Sequence, residues 1–201
     1  MLRMGKLGAL GVWESERNVR LDELSRKVTG DGDATSAQVG VLYVALAAEF
    51  QGYCRDLHQE CIDDLLDQMS VLPYRLRATV ALTLESGRAI DLHNATAATV
   101  AKDFKTLDIS PWESIQLRHK DQYRGWRETL DLVNSVRNAA AHSDEEDLAG
   151  FMDDGVLAPE HWKSCLHQLS ELVLALHNIT AAHLTDIAFN FAGERSGAHD
   201  Q

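Results

Sequence analysis

Tyr123-Arg124-Gly125-Trp126-Arg127-Glu128-Thr129-Leu130-Asp131-Leu132-Val133-Asn134-Ser135-Val136-Arg137-Asn138-Ala139-Ala140-Ala141-His142-Ser143-Asp144-Glu145-Glu146 is the stretch on which the fold turns. Tyr123, Trp126, Leu130 and Val133 recur at steps of three and four residues, the mark of one helical face. Arg137 follows Val133 by four and continues that apolar stripe. A guanidinium on such a stripe loses its water and needs a carboxylate, a phosphate or a partner chain in exchange. Beyond it, Ser143 to Glu146 reads as a capping box, with Ser143 as N-cap and Glu146 reaching back from the third helical position. The pattern predicts one helix ending near Ala141 and a new segment after Ser143. His142 falls at the junction, where a side chain can face a cleft.

Outward from this stretch the chain reads as helix after helix. Upstream, Ser110-Pro111-Trp112-Glu113 is a start signal, with Ser as N-cap and Pro at the first helical position. Helices are also predicted from Pro73 to about Glu85 and from Arg88 to Phe104. A long one is predicted from Ala37 to about Met69, on Val41, Val44, Phe50, Leu57, Cys61 and Leu65. Before it, Thr29 to Ser36 is a loop by composition, and Ser15 to Val28 is a short amphipathic helix behind a loose arm. Downstream, Phe151 to Ala158 reads as irregular. Pro159 then opens a final helix whose buried side holds Trp162, Leu169, Leu172, Leu176 and Ile179. The three prolines all fit helix starts and β-branched alternation is scarce, so the fold class is all-α. The expected organisation is an arm and short helix over 1–35, one helical domain over 36–192, and a flexible tail over 193–201.

Bulk properties narrow the function. At 201 residues with 45% hydrophobic content the chain can bury a proper core. No run of apolar residues is long enough to span a bilayer, so no membrane role is expected. The odd count of cysteines (Cys54, Cys61, Cys165) without a C-x-x-C motif suggests buried free thiols and a cytoplasmic setting. The formal charge of −12 opposes broad, non-specific grip on nucleic acid. Arg118, His119, Lys120, Arg124, Arg127 and Arg137 nevertheless fall in one stretch, which suggests a small basic cleft in an acidic body. No phosphate-binding glycine loop or nucleophile elbow occurs, and the histidines of the last helix lack metal-ligand spacing, so neither cofactor nor metal is expected. The four tryptophans read as core or interface anchors.

The segment Arg137-Asn138-Ala139-Ala140-Ala141-His142 resembles the motif of the HEPN superfamily: an arginine, a polar neighbour, and a histidine four to six positions on at a helix end. Arg88 and His93 share the spacing but lack the leading apolar stripe. A looser likeness covers Ala48 to Leu57, where an acidic residue beside an aromatic, here Glu49 and Phe50, faces the motif helix in that superfamily. The resemblance implies an up-and-down helical bundle, here with a peripheral N-terminal helix, acting as a homodimer whose two motifs line one cleft. It also implies a metal-independent endoribonuclease that leaves a 2′,3′-cyclic phosphate. His142 would be general base or acid, Arg137 the clamp on the phosphate, Asn138 an orienting group, and Glu49 a support for Arg137 or His142. The implied setting is a bacterial toxin–antitoxin or anti-phage system, with RNA as substrate and an antitoxin or regulatory protein as partner. The alternative is a non-catalytic helical module of the same type that binds RNA, a nucleotide or a protein.

Overall fold

A computed structural model of the protein describes residues 8–30 and 34–197, with side chains described as far as Ile187. The arm residues Met1–Leu7, the loop residues Asp31–Asp33 and the tail residues 198–201 lie outside the described residues. All regular structure among the described residues is helical. In chain order come α1 (Ala9–Val12), one π-helical turn (Trp13–Arg17), α2 (Asn18–Thr29), α3 (Ser36–Gln68), α4 (Tyr74–Glu85) and α5 (Ala89–Leu92). They are followed by α6 (Ala97–Lys105), α7 (Pro111–Arg118), α8 (Lys120–His142), α9 (Glu145–Asp153) and α10 (Pro159–Gly197). No helix among the described residues is long and apolar enough to cross a membrane.

Side-chain bonds fix the directions of the long helices. Along α3, Tyr43 meets His161, Tyr53 meets Val173 and Gln68 meets Leu184, so α3 and α10 run the same way. Trp126 meets Glu171 and Thr129 meets Gln168, so α8 runs against α10. Ala9 meets Glu60, Arg17 meets Asp56 and Arg20 meets Glu49, so the N-terminal helices run against α3. The result is an up-and-down bundle of α1–α2, α3, α8 and α10, with α4 to α7 wrapped around its side. One continuous core joins them, and all four tryptophans are buried in it.

The N-terminal helix is not peripheral. Trp13 and Leu21 are fully buried in the common core, and helix begins at Ala9, inside the expected loose arm. The glycines that make this stretch read as an arm have a local reason at Gly8. A Cβ there would collide with the Glu60 carboxylate, which accepts a hydrogen bond from the Ala9 amide at 2.9 Å and so caps the first turn. Next, Trp13 packs edge-on against Tyr53 at 5.8 Å between ring centroids, and the Tyr53 hydroxyl donates to the Val173 carbonyl at 2.8 Å. One aromatic pair thus ties the first helices to both α3 and α10.

Two further boundaries differ from the sequence reading, and one expected cap bond is not made. The single helix expected over Arg88 to Phe104 is two, α5 and α6, separated by an extended His93–Thr96 segment. Buried Asp103 holds α5 in place by accepting the amides of Ala89 and Ile90 at 2.7 and 2.8 Å, while Thr96 caps α6. Ser110 occupies the N-cap position of α7 without making the side-chain bond, and Pro111 carries the start signal alone. At the far end, α10 continues to Gly197, through residues expected to belong to the tail.

Arg17 anchors the N-terminal hairpin. Its guanidinium donates to Glu49 at 2.7 Å and to Asp56 at 2.6 Å, and Arg20 adds a second grip on Glu49 at 2.8 Å. Between those acids, one turn from each, lies Gly52, where the three atoms nearest to an added Cβ all belong to the Arg17 guanidinium. Gly52→Ala is therefore expected to displace Arg17 and cost about 1–3 kcal/mol in urea unfolding. In an Arg17→Ala background the same change is expected to reverse sign and gain up to about 1 kcal/mol from helix propensity. An unchanged sign would show that Gly52 is required for another reason. A pH effect follows from Glu49. Burial pushes its carboxyl up, but the hydrogen bonds from Arg20 and Arg17 outweigh burial and hold it below its ordinary 4.5. The unfolded chain thus binds this proton more readily. The contribution is present above about pH 4.5 and lost as pH falls through the lower folded value. Urea unfolding across that range is expected to show the stability gap between wild type and Glu49→Gln closing as acid is added.

Candidate functional site

The motif closes α8. Val136 is fully buried and Arg137 half-buried, because the apolar stripe drifts round the helix and passes through Val136 and Ala139 instead of Arg137. Arg137 is thus at the edge of the stripe, and the desolvation expected of it is only partial. Its one side-chain hydrogen bond among the described residues goes to the neighbouring Asn138 Oδ1 at 3.1 Å. No carboxylate pairs with it among the described residues.

The same Asn138 oxygen accepts from Asn94 Nδ2 at 2.8 Å. Asn94 lies in the extended segment between α5 and α6, and that segment is held from two sides. Gln51 of α3 donates to the carbonyls of Ile90 and His93 at 2.6 and 3.0 Å. Asn134, buried one turn before Asn138, donates to Leu130 at 2.9 Å and reaches the Ala95 carbonyl at 3.4 Å. A polar chain therefore runs from Gln51 through the His93–Asn94 backbone to Asn138 and Arg137. With its oxygen used twice, Asn138 is oriented so that its amide nitrogen, a donor on an exposed residue, is without a partner among the described residues. His142 stands one turn beyond Asn138 on the same helical face, exposed, with no side-chain hydrogen bond among the described residues.

The expected cap shifts by one residue. Ser143 has φ 54° and ψ 42°, so it is the left-handed residue that ends α8. Asp144 returns its amide to the Ala139 carbonyl at 2.9 Å, and its side chain caps α9 by accepting the Asp147 amide at 3.2 Å. Asp144 is thus the N-cap, and Glu146 does not complete a box with Ser143. The acids from Asp144 to Asp147 are exposed, as expected of a solvated helix start.

Glu49 and the basic stretch differ from expectation. The Glu49 carboxylate is taken by Arg17 and Arg20 and forms no bond to Arg137 or His142 among the described residues. Its position on α3 carries it to the face covered by α2. The cations before the motif do not gather around it either. Arg124 pairs with Glu128 at 2.7 Å, and Arg127 lies 5.1 Å from the Trp112 ring centroid. Thirteen residues of helix put Arg124 about 20 Å from Arg137 along the axis. The basic cleft expected from the sequence is therefore drawn out along α8.

Beside the motif, an open apolar groove of about 510 Å³ runs between the start of α3, the end of α8 and α9, lined among others by Val41, Ala140, Leu148 and Met152. Its floor includes Gly40, where a Cβ would come within 3.8 Å of the Ala140 methyl. Among the described residues no group of three or more histidine, cysteine, aspartate or glutamate side chains is placed to hold a metal ion. The three cysteines are free and buried; burial, joined by the Glu60 charge, pushes the Cys61 thiol up to about 12. Such thiols are poor nucleophiles.

Asn94, Gln51 and Asn134 are the site residues that sequence reasoning does not find. The nearest signal is the second arginine–histidine match, since Asn94 follows directly after His93. In comparisons with family models, curated proteins and solved structures, nothing matches this chain.

The left-handed Ser143 gives a direct test of this helix end. A non-glycine residue pays about 1–2 kcal/mol in that conformation. Ser143→Gly is expected to stabilise the protein by about 1 kcal/mol after the extra entropy of glycine is counted. Thermal unfolding should show the rise; a fall would mean that the Ser143 side chain makes a bond of its own.

Proposed function

We propose that this protein is a metal-independent endoribonuclease of HEPN type, acting as a homodimer in a toxin–antitoxin or anti-phage role. The observation that carries the reading is the polar chain from Asn94 through Asn138 to Arg137. It leaves a guanidinium and an amide N–H donor side by side at an exposed helix end, one turn from a histidine with no partner among the described residues. Such a set answers the needs of RNA cleavage. Imidazole takes the proton of the 2′-hydroxyl, because its ordinary titration range lies near neutrality. The 2′-oxygen attacks phosphorus, and the guanidinium fork stabilises the charge on the phosphoryl oxygens. The 5′-oxygen leaves with a proton supplied by the second acid–base group, for which the His142 of another copy is the source. The products are a 2′,3′-cyclic phosphate and a 5′-hydroxyl. The apolar groove beside Ala140 is the surface on which two copies would close.

A second reading has its own support: a non-catalytic module binding RNA, a nucleotide or a protein. The net charge of −12 and the acids Asp144 to Asp147, immediately beyond His142, weaken long-range attraction of RNA.

The test is RNA cleavage in EDTA with analysis of the product ends. Wild type is expected to leave cyclic-phosphate ends. Arg137→Ala is expected to lose about 10²–10³ in rate and His142→Ala at least about 10². Asn94→Ala, which only frees Asn138, is expected to lose less than either. Circular dichroism of all three should match wild type, since these residues are half-buried or exposed. Equal cleavage by His142→Ala and wild type sinks the catalytic reading, and binding without cleavage by every form moves the assignment to the module.

A further inference from the structure

Past Ile62 the α3 helix begins to expose side chains, with α10 still beside it at Gln68 and α4 along its other side. Among the described residues α4 has no buried residue, although it carries Tyr74, Leu76, Val80, Leu82 and Leu84. Tyr74 is 77% exposed, Leu82 67% and the preceding Val71 71%. Large apolar side chains exposed together on one helix mark a surface that something covers. Residues 74, 78, 81, 82 and 85 share one face of α4 and border an open groove of about 500 Å³, with Asp63, Leu66 and Asp67 of α3 as the opposite wall.

The charge on this groove is as one-sided as its apolar floor is exposed. Asp63 and Asp67 stand on successive turns of α3 and Glu85 closes the end of α4, all three lining the groove, while Asp64 and Glu60 lie beside it on α3; Arg77 is the cation among its described lining residues, and Arg75 lies on the same helix. None of these acids forms an ion pair among the described residues. Asp63 and Glu85 are each bonded only to the Gln59 amide, at 3.2 and 3.0 Å. The Asp64 carboxyl is raised above its ordinary value, by burial and then by the charges of Glu60, Asp67 and Asp63. The carboxylates therefore repel one another without a paired cation to offset them.

We propose that the groove between the last turns of α3 and the exposed face of α4 binds a basic amphipathic helix from a partner protein. Its leucine-like side chains would cover Tyr74 and Leu82, and its lysines or arginines would meet Asp63 and Asp67. This is helix-in-groove recognition, with apolar anchors at spacings of three and four supplying affinity and the acids supplying orientation. A second copy of this chain is disfavoured as occupant, because self-pairing on this face sets the aspartates against their own kind. An anionic membrane is disfavoured for the same reason. The groove is distinct from the motif: Asp67 lies 27 residues along α3 from Gly40, about 40 Å. The inference therefore stands whether or not the catalytic reading does.

The probe is a fluorescent 18-residue peptide with leucine at alternating steps of three and four and lysine elsewhere, followed by anisotropy on the full chain. It is compared with a scrambled peptide of the same composition and with a version carrying glutamate for lysine. The amphipathic lysine peptide is expected to bind and the other two to bind at least about tenfold more weakly. Leu82→Ser and the pair Asp63→Asn with Asp67→Asn are each expected to weaken binding about tenfold, while Met152→Ser, in the groove beside the motif, leaves it unchanged. All these positions are exposed, so the variants should fold as wild type does. No binding, equal binding of the scrambled peptide, or loss with Met152→Ser but not with Leu82→Ser would each overturn the proposal. So would sedimentation showing a dimer of the free protein that Leu82→Ser disperses, since the face would then be a contact between copies.

Discussion

From Glu49 to Ile62 the α3 helix has no exposed residue, and the rest of the bundle is arranged around that fact. Arg55 and Asp56 keep 42% and 44% of their side chains exposed, but so much of this stretch is covered that its buried polar atoms need partners. Each left without one would cost about 1–3 kcal/mol. Here each is used to dock a neighbour. Glu49 and Asp56 hold Arg17, and Glu60 caps α1. On the opposite side Gln51 binds the carbonyls of Ile90 and His93, Arg55 pairs with Asp91, His58 meets the Asp103 carbonyl, and Gln59 receives Arg88. Burial supplies the larger part of the stability and is indifferent to direction. The polar set of α3 decides which helix sits on which side and at what height.

This explains what can be read from the residues and what cannot. Helical periodicity is local, so the long helices, the all-α class and the buried tryptophans are open to inspection. The break at His93–Thr96 is not, because it depends on Asp103 capping α5 from the next helix. Glu49 misleads for a related reason. A carboxylate beside Phe50 has a definite angle on its own helix, but which neighbour occupies that angle is a property of the assembled bundle. The neighbour is α2, which follows a helical start hidden in a glycine-broken arm. The same applies to Asn94 and Gln51. Nothing in their local sequence announces that an extended segment between two short helices will be clamped against α8.

The basic stretch before the motif is a second case in which order along the chain misleads. Charges adjacent in sequence but on a straight helix are spread by about 1.5 Å per residue. Lys120, Arg124, Arg127 and Arg137 therefore cannot form one patch, because α8 is continuous from Lys120 to His142, and Arg118 lies beyond the break at His119 in α7. What reaches the motif is a single guanidinium, with exposed acids beginning two residues after His142. Whatever binds at this end of α8 must be held by short-range, directed bonds, since the surrounding field does not attract an anion from a distance.

A histidine in the last turn of a helix has an ordinary explanation that competes with the catalytic one. The C-terminal end of a helix dipole favours a basic residue in the last turn, and in α8 that residue is His142. That effect requires no particular geometry and would be served as well by lysines free in solvent. It gives no reason for Asn138 to receive two donors on one oxygen, or for Asn94 to be delivered from another helix pair to supply one of them. Nor is the pairing needed to bury anything, because Asn138 is exposed and water could satisfy it. A fixed amide at an exposed position orders side chains at an entropic cost without a matching gain in stability. The dipole is sufficient for His142 alone. The positioned trio of Asn94, Asn138 and Arg137 is the feature that a ligand-binding role explains and the dipole does not.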